Sequence, residues 1–262
     1  MILIAAESGV LTAEGATYCC EGLDVNDAAE GLICAWQGLY RLEGGKLERL
    51  SERRCWRLIP WDDDVLASLE GPLIFSARKG RALADYRPYA KGWFFFHGEP
   101  HITDMAQYKG QYVAGVEVGS LLMGPTPLEL RPLEFSEDIH NLLPLGGRLL
   151  VATASGIYAT EGLSRFELKA EGYAHALARA GGAVAAHVMA ERPVIVSRDE
   201  GETWRNLGLK LPEPAFGTTG LLCEGEICIY STSETYRLDL RRAAAEKLFG
   251  PHPMARRVVK IG

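Results

Sequence analysis

The sequence predicts an all-β chain folded as a seven-bladed β-propeller, six blades also being compatible. Three observations carry that prediction: two short patterns that recur with one period, β-rich runs punctuated by turns, and a phase shift between the two ends of the 262 residues. The first pattern places two mostly polar or aromatic residues between apolar ones. It occurs at Val25-Asn26-Asp27-Ala28, Cys55-Trp56-Arg57-Leu58, Ile102-Thr103-Asp104-Met105, Ile139-His140-Asn141-Leu142, Ala174-His175-Ala176-Leu177, Thr218-Thr219-Gly220-Leu221 and Ala255-Arg256-Arg257-Val258. Its second members stand at 26, 56, 103, 140, 175, 219 and 256, so successive differences are 30, 47, 37, 35, 44 and 37, a loose period near 37.

The second pattern interleaves with the first at Gly9-Val10-Leu11, Gly38-Leu39-Tyr40, Pro72-Leu73-Ile74, Gly119-Ser120-Leu121, Gly156-Ile157-Tyr158, Pro193-Val194-Ile195 and Glu234-Thr235-Tyr236. Before these lie β-rich runs such as Tyr112-Val113-Ala114-Gly115 and Leu149-Leu150-Val151-Ala152, with turn residues between. Each repeat thus supplies about four short strands, the make-up of a propeller blade, which stacks radially because one small sheet cannot bury both faces alone. Only Arg241 to Leu248 reads as helical. The chain opens on a second-strand pattern, Ile2 to Ala6, and closes on a first-strand pattern, Ala255 to Ile261. Residues 254–262 are therefore expected to give the innermost strand of the blade begun by residues 1–22, closing a single domain over 1–262 and removing an unpaired edge.

Composition narrows the function classes. A net charge of -6 and a pI of about 5.6 argue against the basic footprint that nucleic acid requires. Met1 to Gly9 carries no positive segment, and no run approaches the roughly 18 apolar residues of a membrane span. The expectation is a cytoplasmic protein with no membrane or nucleic-acid partner. Six cysteines without C-x-x-C spacing read as buried thiols. Cys223 and Cys228 would face one another across a hairpin, and reduced thiols are expected there too.

Ser197-Arg198-Asp199-Glu200-Gly201-Glu202-Thr203-Trp204 fits the pattern S-x-D-x-G-x-T-W at every specified position. The chain thereby resembles the Asp-box (BNR) repeat propellers, a sialidase-like superfamily that includes sortilin-type receptors and photosystem II assembly and stability factors. The resemblance implies that the box folds the turn between a blade's third and fourth strands, with Ser197, Asp199, Gly201, Thr203 and Trp204 in structural roles. The motif covers eight residues, so it transfers fold better than activity. In character the chain is nearest the assembly factors, which implies a non-catalytic scaffold for protein-protein interaction.

No residue set amounts to a catalytic site, a metal centre or a cofactor site. Sialidase-like hydrolysis would need three arginines, whereas inner-strand positions offer Arg57, Arg256 and Arg257, and Trp56-Arg57-Leu58-Ile59-Pro60 has one residue too many between Arg and Pro. His101, His140 and His175 come from three consecutive innermost strands, and radial spacing is expected to keep them too far apart for zinc. With Asn26 and Asp104 they line a channel. Turns between second and third strands place Glu7, Glu70, Glu117, Glu191 and Glu234 on one rim, where a small sugar or a cation could sit. The longest repeat mixes Arg78, Arg87, Tyr89, Trp93 and Phe95, a candidate patch for a protein partner that is expected to matter more than the histidines. The alternative function is a carbohydrate-binding or glycosidase-like propeller. A deep rim pocket lined by arginines or facing carboxylates would favour it, and a flat rim the scaffold.

Overall fold

The computed structural model describes residues 1–29, 31–212 and 220–261, and these form seven four-stranded antiparallel sheets. The innermost strands are Val25–Ala29 (blade 1), Cys55–Trp61 (blade 2), Ile102–Tyr108 (blade 3), Ile139–Leu145 (blade 4), Ala174–Ala180 (blade 5), Gly220–Glu224 (blade 6) and Ala255–Lys260 (blade 7). Blade 7 is completed by Ile2–Ala6, Gly9–Thr12 and Thr17–Cys19 from the other end of the chain, with Ile4 opposite Val258 and Ala5 opposite Arg257. The ring therefore closes as the phase shift predicts. Thr218 and Thr219, the start of the pattern read into blade 6, lie outside the described residues.

The ring holds together because each blade has two apolar faces. Second strands such as Asp64–Leu69 and Ala183–Val188 are buried along their whole length. Seven buried apolar clusters result, one between each pair of neighbouring blades: Leu39 with Leu69 and Phe75 between blades 1 and 2, Ile74 with Ile102 and Leu122 between blades 2 and 3, and so around to Leu3 and Val10 with Val25 and Ile33 between blades 7 and 1.

A bulge recurs where the inner strands enter. In blades 1 to 5 and 7 the ladder skips one residue, leaving Asn26, Trp56, Thr103, His140, His175 and Arg256 unopposed. These are the second members of the repeated pattern. A bulge frees a side chain from the alternation of its strand, and here several of the freed groups reach sideways to the next blade. Asn26 Nδ2 donates to the Cys55 carbonyl at 2.7 Å, Thr103 Oγ1 to Ile139 at 2.6 Å, and His140 Nδ1 to Ala174 at 2.6 Å. The residues that follow return the tie: Leu58 N donates to Asp27 Oδ2 at 3.0 Å, Leu142 N to Asp104 Oδ2 at 2.9 Å, and Leu177 N to Asn141 Oδ1 at 2.7 Å.

The Ser197–Trp204 turn joins the third strand, Val194–Ser197, to the fourth, Arg205–Asn206. Asp199 accepts from Thr203 N at 2.9 Å and Thr203 Oγ1 at 2.6 Å, while Gly201 N donates to Ser197 Oγ and Trp204 Nε1 to the Gly201 carbonyl. The two Thr203 donors first, then the Ser197 hydroxyl at 2.7 Å, pull the Asp199 carboxyl down to about 2. Gly201 has φ +87°, and a Cβ there would strike Leu150 of the neighbouring blade.

Two expectations are corrected. Arg241 to Leu248 is a turn followed by the strand Ala244–Phe249, because pairing with Thr235–Asp239 overrides the helical preference of its alanines. The cysteines are not thiols: Cys19–Cys20, Cys34–Cys55 and Cys223–Cys228 are disulfides. Cys34 and Cys55 belong to neighbouring blades, so their 21-residue separation hides a Cα–Cα distance of 4.9 Å.

Candidate functional site

Inner strands begin on the face that also carries the turns between second and third strands. Two residues before the bulges of blades 1 to 5, the chain sets a side chain on this rim: Asp24, Arg54, His101, Asp138 and Tyr173. The rim encloses a cavity of about 1010 Å³ at the channel mouth. A smaller recess of about 350 Å³ at the other end shares Arg257 with it.

One wall is aromatic. Trp36 meets Trp56 edge to face at 5.2 Å, Trp56 stacks on His101 at 3.7 Å, and Phe95 sets its edge against both. Arg54 covers Trp36 at 4.1 Å. The Cys34–Cys55 disulfide lies directly beneath this pair in sequence, since Trp56 follows Cys55 and Trp36 stands two residues after Cys34. The second wall is a cluster in which the rings of His140, Tyr173 and His175 lie 4.7–4.9 Å from one another, continuing inward from His175 through His187 to Tyr230. His140 and His175 thus approach more closely than radial spacing predicts, because the bulges turn them sideways, while His101 packs apart from them on Trp56. Among the described residues, no three His, Cys, Asp or Glu side chains converge to hold a metal ion.

Most charges at the site are matched within it. Arg256 holds Glu7 at 2.9 Å and Asp24 at 3.0 Å, Arg257 lies 3.3 Å from Asp27, and Arg57 lies 3.6 Å from Asp104 while donating to the Thr103 carbonyl. His101 Nε2 meets Glu117 at 2.8 Å, and His140 Nε2 lies 3.4 Å from Asp138 without the alignment of a hydrogen bond. Burial disfavours the His140 cation, but Asp138, the Ala174 carbonyl and Glu117 outweigh it and raise its pKa. Burial, then the neighbouring His140 and His187, holds His175 well below the ordinary range, and burial takes His187 to about 3. Trp56 Nε1, His101 Nδ1, His175 Nε2 and Arg257 Nη1 are buried with no hydrogen-bond partner among the described residues.

Burial pushes Asp27 up to about 6 against the opposing pull of Arg57 and of the Leu58 and Ala28 amides. Folded Asp27 holds its proton more tightly than in the unfolded chain, so between about pH 4 and pH 6 the native state binds more protons and stability falls as pH rises. The Asp27→Asn variant should lack that fall. Between pH 4 and pH 6.5 the wild type should lose about 2–3 kcal/mol relative to the variant, at roughly 1.4 kcal/mol per pKa unit. Denaturant titrations of both at the two pH values measure this, and equal changes would mean Asp27 ionises as it does in water.

The sequence-predicted residues divide by position. Asn26, Trp56, Arg57, His101, His140, His175, Arg256, Arg257, Glu7, Glu117 and, from the longest repeat, Phe95 share the main cavity, and Asp104 lines the recess. Glu70 pairs with Arg54 at 3.4 Å, Glu234 with Lys247, and Glu191 is an exposed turn residue. Arg78 pairs with Asp63 and Arg87 with Asp85 on the exposed surface, while Tyr89 and Trp93 pack on the cluster between blades 2 and 3. Sequence reasoning missed Trp36, Asp138 and Tyr173. The offset of two before each bulge would have found Asp138 and Tyr173.

No family model matches the sequence, and no curated protein matches it. Solved structures do share its fold. The computationally designed Ika8 protein is 14% identical with a TM-score of 0.61, over 96% of this chain and 85% of that one. The extracellular domain of the one-component system BT4673 from B. thetaiotaomicron is 11% identical with a TM-score of 0.62, over 82% of this chain, which spans only 31% of that one. The dihydro-heme d1 dehydrogenase NirN, in complex with DHE, is 13% identical with a TM-score of 0.55, over 98% of this chain and 74% of that one. At these identities the likeness is one of fold, which serves binding proteins and enzymes alike.

Proposed function

We propose that the propeller binds a neutral, polyhydroxylated ligand, a saccharide, at its channel mouth without transforming it. The observation that carries this reading is the cavity itself, walled by Trp36, Trp56, Phe95 and Tyr173 and polar between them. Its volume stands at the upper end of ligand pockets. A sugar ring offers an apolar face to an aromatic side chain and hydroxyls that both donate and accept. The matched charges support a neutral ligand over an ionic one, because an ion would have to displace a partner already in place. With Glu7 held by Arg256, Glu117 against His101 and Asp138 beside His140, the carboxylates of the wall already have neighbours within it, which supports binding over acid–base turnover. A flat face would have supported the scaffold reading, for which the exposed Phe94 and Phe96 remain the argument.

Screening an immobilised glycan panel, followed by calorimetry on the best binder, tests the proposal. Trp56→Ala should weaken binding about tenfold or more, a typical anchor loss, with circular dichroism confirming that the variant folds. Absence of any saccharide binder, or unchanged affinity in a folded Trp56→Ala protein, would overturn it.

A further inference from the structure

A strap of chain crosses the cavity lip between blades 2 and 3. It starts where Trp93 packs over Gly119 and Phe94 N donates to the Val118 carbonyl at 3.1 Å. It ends where Arg54 Nη1 donates to the His97 carbonyl, Glu99 N to Glu70 Oε1 at 3.4 Å and Gly71 N to the Pro100 carbonyl at 3.2 Å. A Cβ on Gly98 would strike Glu70, so the second anchorage depends on that glycine.

Between these anchorages Phe95 faces Trp56 and His101, while Phe94 and Phe96 lie edge to face at 4.7 Å and stand 51% and 80% exposed. Both phenylalanines leave apolar surface uncovered, Phe96 more than Phe94. Phe96 also lines the cavity. Trp56, Phe95 and Phe96 thus line one cavity, with Phe96 at its exposed end.

We infer that the ligand is an oligosaccharide of at least two rings, one ring held among Trp36 and Trp56 and the next lying on Phe96, which therefore sets chain-length preference. This rests on the saccharide reading above and adds to it. A chain ligand suits the surface because each of its rings repeats the same apolar face, whereas a single ring inside the cavity would leave Phe96 uncovered.

Calorimetry with monosaccharide, disaccharide and trisaccharide members of the best-binding glycan series, on wild type and Phe96→Ala, tests the inference. Wild type should gain about tenfold in affinity from one ring to two. Phe96→Ala should lose that gain while circular dichroism shows an unchanged fold, since the side chain is exposed and contributes little to folding. Saccharide binding with no gain on the second ring, or a gain that survives in Phe96→Ala, would overturn this inference and leave the saccharide reading standing. No binding by any member to wild type would overturn both. A peptide that competes with the trisaccharide and loses affinity in Phe96→Ala while the disaccharide gain persists would assign Phe96 to a protein partner instead.

Discussion

Deleting residues 254–262 should abolish cooperative unfolding and cause aggregation at concentrations where the full chain stays dispersed. The deleted strand pairs with Ile2–Ala6, carries the buried Ala255 and Val258, and supplies Arg256 and Arg257, which tie blade 7 to Asp24 and Asp27 of blade 1. Its loss exposes the unpaired edge of Ile2–Ala6, together with Ile4, which is fully buried in the intact ring. The effect should rival the whole stability of an ordinary domain, about 5–15 kcal/mol. Differential scanning calorimetry and size-exclusion chromatography measure it. A truncated chain that melts like the full one would show that six blades hold themselves.

The second large effect concerns the Cys34–Cys55 bridge. Replacing both cysteines with alanine should cost about 3 kcal/mol, the chain-entropy expectation for a loop of this length. A protein of this size should then melt roughly 6–10 °C lower. The near-ultraviolet circular dichroism of the Trp36–Trp56 pair should weaken as well, since both indoles sit immediately beyond the bridge. Alkylation of protein prepared under oxidising conditions should find no free thiol at any of the six positions. A variant as stable as wild type, with thiols that alkylate in the parent, would refute the bridge.

Most of the architecture was legible because propeller geometry repeats in sequence. The series 26, 56, 103, 140, 175 and 256 marks the bulges, where one extra residue must be accommodated near the same point of each inner strand. The end strands gave the closure through their phase. The helical reading of Arg241 to Leu248 failed because local preference is weak beside strand pairing. The candidate site was half legible. Trp56, Arg57, His101, His140 and His175 could be placed on one rim by counting, but their mutual distances could not, since counting assumes side chains that point straight into the channel. Trp36 was passed over because a single tryptophan in a turn carries no periodic signal. Phe96 stood next to a residue that was singled out, yet only the fixed ends of the strap show which phenylalanine faces inward. Disulfide pairing across blades depends on contacts between repeats, which spacing within one chain does not encode.

The way blade 7 is closed also fixes how the ring responds to force. Met1 N donates to the Ile261 carbonyl at 2.9 Å and Ile261 N to the Met1 carbonyl at 3.0 Å, so residues 1 and 261 lie side by side at one end of an antiparallel pair. Tension applied between those two residues loads the first rung alone and peels the strands apart rung by rung, as a zipper opens, instead of shearing all rungs together. The closure that suppresses thermal opening is therefore loaded in its weak, unzipping direction by a pull on its two ends, which unfastens blade 7 before the other six blades bear load.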